Sequence, residues 1–241
     1  MNLIDIIKNA QSRELIGEDG DSMELDLLPG LDEGAISQFA SSLPCELPEE
    51  IRELLRFCRG FEGVVPDLVD FSGQDLMFEH EIIFPHGVPI ASDGFGNFWV
   101  VDLSPGSREF GPIWFACHDA PVILYQSSGL GEFLAELFKL CEPPHESLLD
   151  DVHEDRIREV WRTNPNVLSH QHCVDSTDPV LREFAGSLDP SFEIIDLRNA
   201  SPGDGFSWGR YGPRTVIRRH RSYPVFAYQR KKGLQGRLFG D

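Results

Sequence analysis

Three short apolar runs lie close together in this chain: Phe98-Trp99-Val100-Val101, Ile113-Trp114-Phe115-Ala116 and Val122-Ile123-Leu124-Tyr125. Each is rich in aromatic and β-branched side chains and is bounded by Pro, Gly, Asp or Ser, so each reads as a strand. Asp93-Gly94 and Gly96-Asn97 precede the first run and tolerate the positive φ of a tight turn, which predicts a hairpin. After the third run, Ser127 or Ser128 offers an N-cap, and Leu130, Phe133, Leu134, Leu137 and Phe138 recur at helical spacing. Residues 84–140 are therefore expected to form a small sheet carrying a helix on one face.

Further elements follow from the same reasoning. A short helix is expected near the N-terminus around Leu3, Ile6 and Ile7, and a second over Asp32 to Ser42, whose acidic start suits the helix dipole. A third opens at Pro48, where a first-turn proline is tolerated, runs through Phe57 and has Gly60 as a candidate C-cap. Val64-Val65, Leu68-Val69 and Ile82-Ile83-Phe84 are short strand candidates. Glu142-Pro143-Pro144 marks a boundary. Beyond it the pattern predicts helices over Leu148 to Arg162 and Pro179 to Leu188. Strands are expected at Phe192 to Leu197, Thr215 to Arg219 and Val225 to Tyr228, with a Gly-rich loop over Asn199 to Gly212. The expected division is 1–141 (core about 30–141) and a small C-terminal α+β extension, 142–241.

In that order, the Leu47-Pro48-Glu49-Glu50-Ile51 helix start, the Asp93-Gly94-x-Gly96-Asn97 hairpin, Asp102, the Ile113-Trp114-Phe115 strand, His118-Asp119 and the Glu132-Phe133-Leu134 helix resemble the SMI1/KNR4 (SUKH) family over roughly residues 30–141. Two departures stand out: Arg59-Gly60 replaces the family's usual Asn-Gly, and residues 150–241 form a longer tail than members generally carry. The resemblance implies an α+β fold with a mixed or antiparallel sheet flanked by helices. It also implies protein binding, as in bacterial immunity proteins that neutralise toxins, or regulatory scaffolding as in fungal members.

Charge divides the chain. Residues 1–150 hold 7 Lys and Arg against 28 Asp and Glu, a net −21, whereas residues 151–241 carry +2. Nine basic residues and no acid lie between Arg210 and Arg237. An acidic first half repels nucleic-acid phosphates and attracts basic proteins, so no nucleic acid is expected there. The basic tail, interleaved with Trp208, Tyr211, Tyr223, Phe226 and Tyr228, superficially suits single-stranded nucleic acid; electrostatic docking onto the acidic half is the preferred expectation. The N-terminus lacks a basic region followed by an apolar stretch, and no run is long enough to span a bilayer, so a cytoplasmic protein without membrane association is expected. Five scattered cysteines without a C-x-x-C pair indicate reduced, buried thiols.

No chemistry-bearing motif emerges. G-x-S-x-G and phosphate-cradling glycine loops are missing, and His118-Asp119 lacks a companion nucleophile. His170-x-His172-Cys173 has no second cluster with zinc-site spacing. Asp93, Asn97, Asp102 and Asp119 do not fit a calcium loop and suit turn-capping duty. The expectation is a non-enzymatic protein-binding domain with no catalytic residues, cofactor or metal, and an uncharacterised enzyme ranks last. The expected partner is a protein, in particular a basic toxin domain such as a nuclease. Its candidate contact residues are Asp93, Asn97, Trp99, Asp102, Trp114, His118 and Asp119, with the outward-facing tryptophan as an aromatic anchor.

Overall fold

The computed structural model describes residues 2–78, 82–118, 120–208 and 215–229. In chain order the first half contains α1 (Leu3–Gln11), β1 (Leu15–Ile16), β2 (Ser22–Met23), β3 (Asp26–Pro29), α2 (Glu33–Ser42), α3 (Glu49–Phe57) and β4 (Cys58–Glu62). There follow β5 (Leu68–Asp70), β6 (Gly87–Ser92), β7 (Phe98–Asp102), β8 (Ile113–Cys117), β9 (Val122–Ser127) and α4 (Leu130–Lys139). Next come α5 (Leu148–Asp151), a π-helical turn (Val152–Arg156) and α6 (Ile157–Thr163), which run on as one irregular helix. The remainder is β10 (Val167–Ser169), α7 (His170–Val174), α8 (Pro179–Gly186), β11 (Phe192–Asp196), β12 (Gly205–Ser207), β13 (Ile217–Arg219) and β14 (Val225–Gln229).

The fold is α+β and its sheets are antiparallel. An eight-stranded sheet has the order β12-β9-β8-β7-β6-β5-β4-β3, and a four-stranded sheet the order β10-β11-β14-β13. The three apolar runs became β7, β8 and β9 at the centre of the large sheet, and their contiguity has a simple cause. Successive side chains point to opposite faces, so a run apolar at every position needs cover on both sides. On one face Trp99, Val101, Phe115 and Leu124 pack under α1 to α6, through Ile7, Ile36, Leu54, Phe133 and Val152. On the other, Val100, Trp114 and Ile123 pack against Ile195, Phe226 and Tyr228 of the small sheet. The outer face of that sheet is covered by α7 and α8 through Cys173, Leu181 and Phe184.

Local signals resolved as follows. Asp32 caps α2, its carboxylate accepting from Ala35 N at 2.8 Å. The serine cap expected for α4 is shifted: Gly129 occupies that position, and the Glu132 carboxylate reaches back to accept from Ser128 N and Oγ at 2.9 and 2.7 Å. Gly60 is no helix cap but lies inside β4, where an added Cβ would fall 1.8 Å from the Val69 carbonyl oxygen. Only the hydrogen of glycine fits between β4 and β5 there. Of the ambiguous candidates only Leu68-Val69 is a strand. The Gly-rich loop after Asn199 hides β12, which pairs antiparallel with β9 from Gly205↔Leu124 to Ser207↔Val122. The extension thereby lends a strand to the large sheet as well as covering one face.

Among the described residues the union of the two halves is mainly apolar. Phe84 and Trp114 share one apolar cluster with Ile195, Phe226 and Tyr228 of the small sheet, and Trp114 lies edge-on to Phe226 with ring centroids 6.2 Å apart. One ion pair is embedded in the joint, Arg219 Nη2 to Asp102 Oδ2 at 2.6 Å, with side chains only 9% and 4% exposed. Of the nine basic residues, Arg210, Arg214, Arg230, Lys231, Lys232 and Arg237 lie outside the described residues. Phe226 and Tyr228 are buried in the joint and present no ring for a nucleobase to stack upon.

Candidate protein interaction site

The register brings three loops to one end of the large sheet. Leu68 pairs with Ser92, Ser92 with Phe98, Phe98 with Ala116, and Cys117 with Val122. The β4–β5, β6–β7 and β8–β9 connections therefore emerge side by side. Within the β6–β7 hairpin, Gly94 and Gly96 have φ of +75° and +90°, a region that ordinary side chains disfavour. Asp93 supplies the remaining constraint. Its Oδ1 accepts from Phe95 N (2.9 Å) and Asn97 N (3.2 Å), and its Oδ2 accepts from Asn97 Nδ2 at 2.5 Å. Asn97 in turn accepts from His118 N at 2.7 Å, tying the hairpin to the β8–β9 loop.

His153, on the π-helical turn, completes this arrangement. Its Nε2 lies 3.3 Å from Asp93 Oδ2, and its ring stacks on Trp99 with centroids 5.7 Å apart. Burial pushes the Asp93 carboxyl up, but the hydrogen bonds from His153, Asn97 and the Phe95 and Asn97 amides outweigh it and hold the pKa down to about 2. The carboxylate is thus ionised, and its oxygens are spent inside the loop. Beside it, Asp150, His153 and Glu154 each place a ligand atom within 4.8 Å of the others, a spacing that could admit a cation. The Asp150 carboxyl is pushed up by burial and by Glu154, Glu18 and Asp151, while His153 acts in the opposite direction.

The candidate contact residues separate into two groups. Asp93, Asn97 and His118 converge at the loop end, and Asp119 lies outside the described residues. Trp99 and Trp114 are 1% and 0% exposed, so neither is an aromatic surface anchor. Trp99 Nε1 donates to Gln126 Oε1 at 3.2 Å within the helical core, whereas Trp114 Nε1 has no partner among the described residues. Asp102 is not a rim charge either. It accepts from Arg219 in the joint, and burial raises its pKa against the pull of Arg219 and His86.

Sequence reasoning missed His153, Asp67 and Phe95. The last carried a signal, a phenylalanine between two turn glycines, which is an unusual place for a core residue. Phe95 is 81% exposed, and Asp67 from the β4–β5 loop lies against Gly94 beside it.

Catalytic chemistry finds little support in this geometry. No serine hydroxyl among the described residues is hydrogen-bonded to a histidine ring. Burial pushes the Cys58 and Cys141 thiols up to about 12 and about 11 and raises those of Cys45 and Cys173, suppressing the nucleophilic thiolate. His170 Nε2 is engaged by the Ala185 and Leu188 carbonyls at 2.9 and 3.1 Å, and Cys173 is buried, so His170-x-His172-Cys173 does not open a shared metal pocket. An open groove of about 690 Å³ lies at the far end of β6, lined in part by Phe39, Leu43, Gln74, His86 and Val88.

Residues 30–136 match the model of the SMI1 / KNR4 family (SUKH-1). The matched segment starts just after β3 and ends within α4, so it contains the hairpin, Asn97 and His118, while His153 and Arg219 lie beyond it. No curated protein and no solved structure matches the chain. Among the described residues no helix is long and apolar enough to cross a membrane.

Proposed function

We propose that this chain is a non-enzymatic protein-binding module of the immunity type, acting in the cytoplasm by occupying a cationic toxin domain such as a nuclease. The observation that carries this reading is the SMI1/KNR4 match over residues 30–136, since many bacterial members of the family are associated with immunity. The net −21 of residues 1–150 supports it independently. A surface of that sign speeds encounter with a basic partner and competes with nucleic acid for the same cationic groove. The test is affinity capture of the full chain from the cell that makes it, followed by co-expression with the captured protein. Recovery of a basic toxic domain whose lethality falls when the chain is present supports the proposal. Recovery of regulatory proteins without any protective effect favours scaffolding instead.

A further inference from the structure

The loop end of the large sheet combines three properties. First, it displays apolar side chains to water: Phe95 at 81% exposure and Val65 of the neighbouring β4–β5 loop at 45%. Phe95 is the one phenylalanine among the exposed large hydrophobic side chains of the described residues. Second, the loop holding Phe95 is braced, with Asp93 gripping two backbone amides and the Asn97 side chain, and Asn97 gripping the next loop. An aromatic held this way loses little conformational freedom on binding, which is how a few side chains come to dominate an interface. Third, the surroundings are acidic. Asp67 lies against the hairpin, and Asp150 and Glu154 flank His153, which contacts Asp93.

From this juxtaposition we infer that Phe95 is the apolar anchor for a cationic protein partner, entering a recess on that partner while Asp67, Asp150 and Glu154 face its basic side chains. The inference rests on the protein-binding reading above and assigns it a surface. Asp93 and Asn97 are positioning residues that aim Phe95, and both large-sheet tryptophans belong to the supporting core. Charge selects the partner. The nearby carboxylates repel an acidic protein or a nucleic acid and leave a basic surface with an apolar pocket as the complementary ligand.

The test uses the full chain with p-benzoylphenylalanine replacing Phe95, or instead Met77 between β5 and β6, or Tyr223 on the extension, which are 81%, 89% and 44% exposed respectively. Irradiation in the cell that makes the chain is followed by identification of adducts, and the adduct protein is then purified for binding kinetics. The expected result is an adduct at position 95 with a protein of basic isoelectric point. Phe95→Ala should then weaken binding about 30-fold, mainly through faster dissociation, as for an anchor worth about 2 kcal/mol. Asp67→Lys should slow association about tenfold at low salt, with the difference shrinking as salt is added. Adducts confined to positions 77 or 223, or unchanged affinity in Phe95→Ala, overturn the assigned surface while leaving protein binding in place. Failure to form an adduct at any of the three positions, together with no co-purifying protein, overturns both.

Discussion

Replacing Arg219 by methionine isolates the one buried ion pair that, among the described residues, joins the two sheets. Methionine retains an apolar stem to pack on Phe226, over whose ring the guanidinium carbon sits at 5.2 Å. What is lost is the charge and two hydrogen bonds, to Asp102 Oδ2 and to the Ile83 carbonyl, each 2.6 Å. Asp102 has only 4% of its side chain exposed, and its Oδ1 has no partner among the described residues, so the variant strands an ionised carboxylate in an apolar joint. Breaking a buried pair from one side costs about 3–5 kcal/mol, and the orphaned Ile83 carbonyl puts the expectation near about 4. Removing both charges in Asp102→Leu/Arg219→Met abolishes the stranded carboxylate and should recover all but about 1–2 kcal/mol. Burial already raises the Asp102 pKa, so the folded state takes up a proton there more readily than the unfolded chain. Loss of Arg219 removes an opposing pull, so the cost of Arg219→Met should be largest at pH 7.5 and shrink as pH is lowered toward 5. Urea denaturation followed by tryptophan fluorescence at both pH values measures these quantities. A single variant within about 1 kcal/mol of the parent, or a double variant as unstable as the single, would refute the reasoning.

Other substitutions probe the remaining arguments. Trp99→Phe should destabilise more than Trp114→Phe by about 1 kcal/mol, because the first leaves Gln126 without its donor whereas the second removes an indole N–H that has no partner among the described residues; equal losses in denaturant midpoints would count against this. Asp93→Asn should cost about 1 kcal/mol at pH 7, discounted for partial exposure. A carboxyl held down to about 2 contributes stability above the unfolded pKa and loses it as pH falls toward 2, so parent and variant should converge in acid, as read from pH-dependent melting. Gly60→Ala drives a methyl into the Val69 carbonyl and should cost about 3 kcal/mol or more by chemical denaturation. Gly205→Ala meets the Ile123 carbonyl oxygen at 1.9 Å and should release β12 from β9, seen as faster hydrogen exchange at Phe206 and Ser207 with the rest of the large sheet protected.

The candidate site was legible only in part. The hairpin could be read because its requirements are local: Asp93 and Asn97 close hydrogen bonds within five residues, and two glycines supply positive φ. His153 could not, since it reaches Asp93 across sixty positions and arrives there because a π-helical turn in the α5–α6 segment packs over the sheet. The same limit misplaced the tryptophans. Their runs are apolar at every position, a pattern that signals cover on both faces, yet the cover on one face comes from strands more than sixty residues downstream.

By itself the sequence determined the α+β class, the strand–hairpin–strand–helix order of residues 84–140 and the acidity of the first half, because periodicity, turn chemistry and charge are properties of neighbours along the chain. Tertiary structure alone decided that the extension completes the large sheet through β12, that Asp102 serves the joint through Arg219, and that Phe95 is left in water. Those outcomes depend on which distant surfaces meet. A buried partner such as Arg219 or Ile195 turns a candidate surface residue into core, and nothing in the local pattern around Asp102 or Trp114 encodes that encounter.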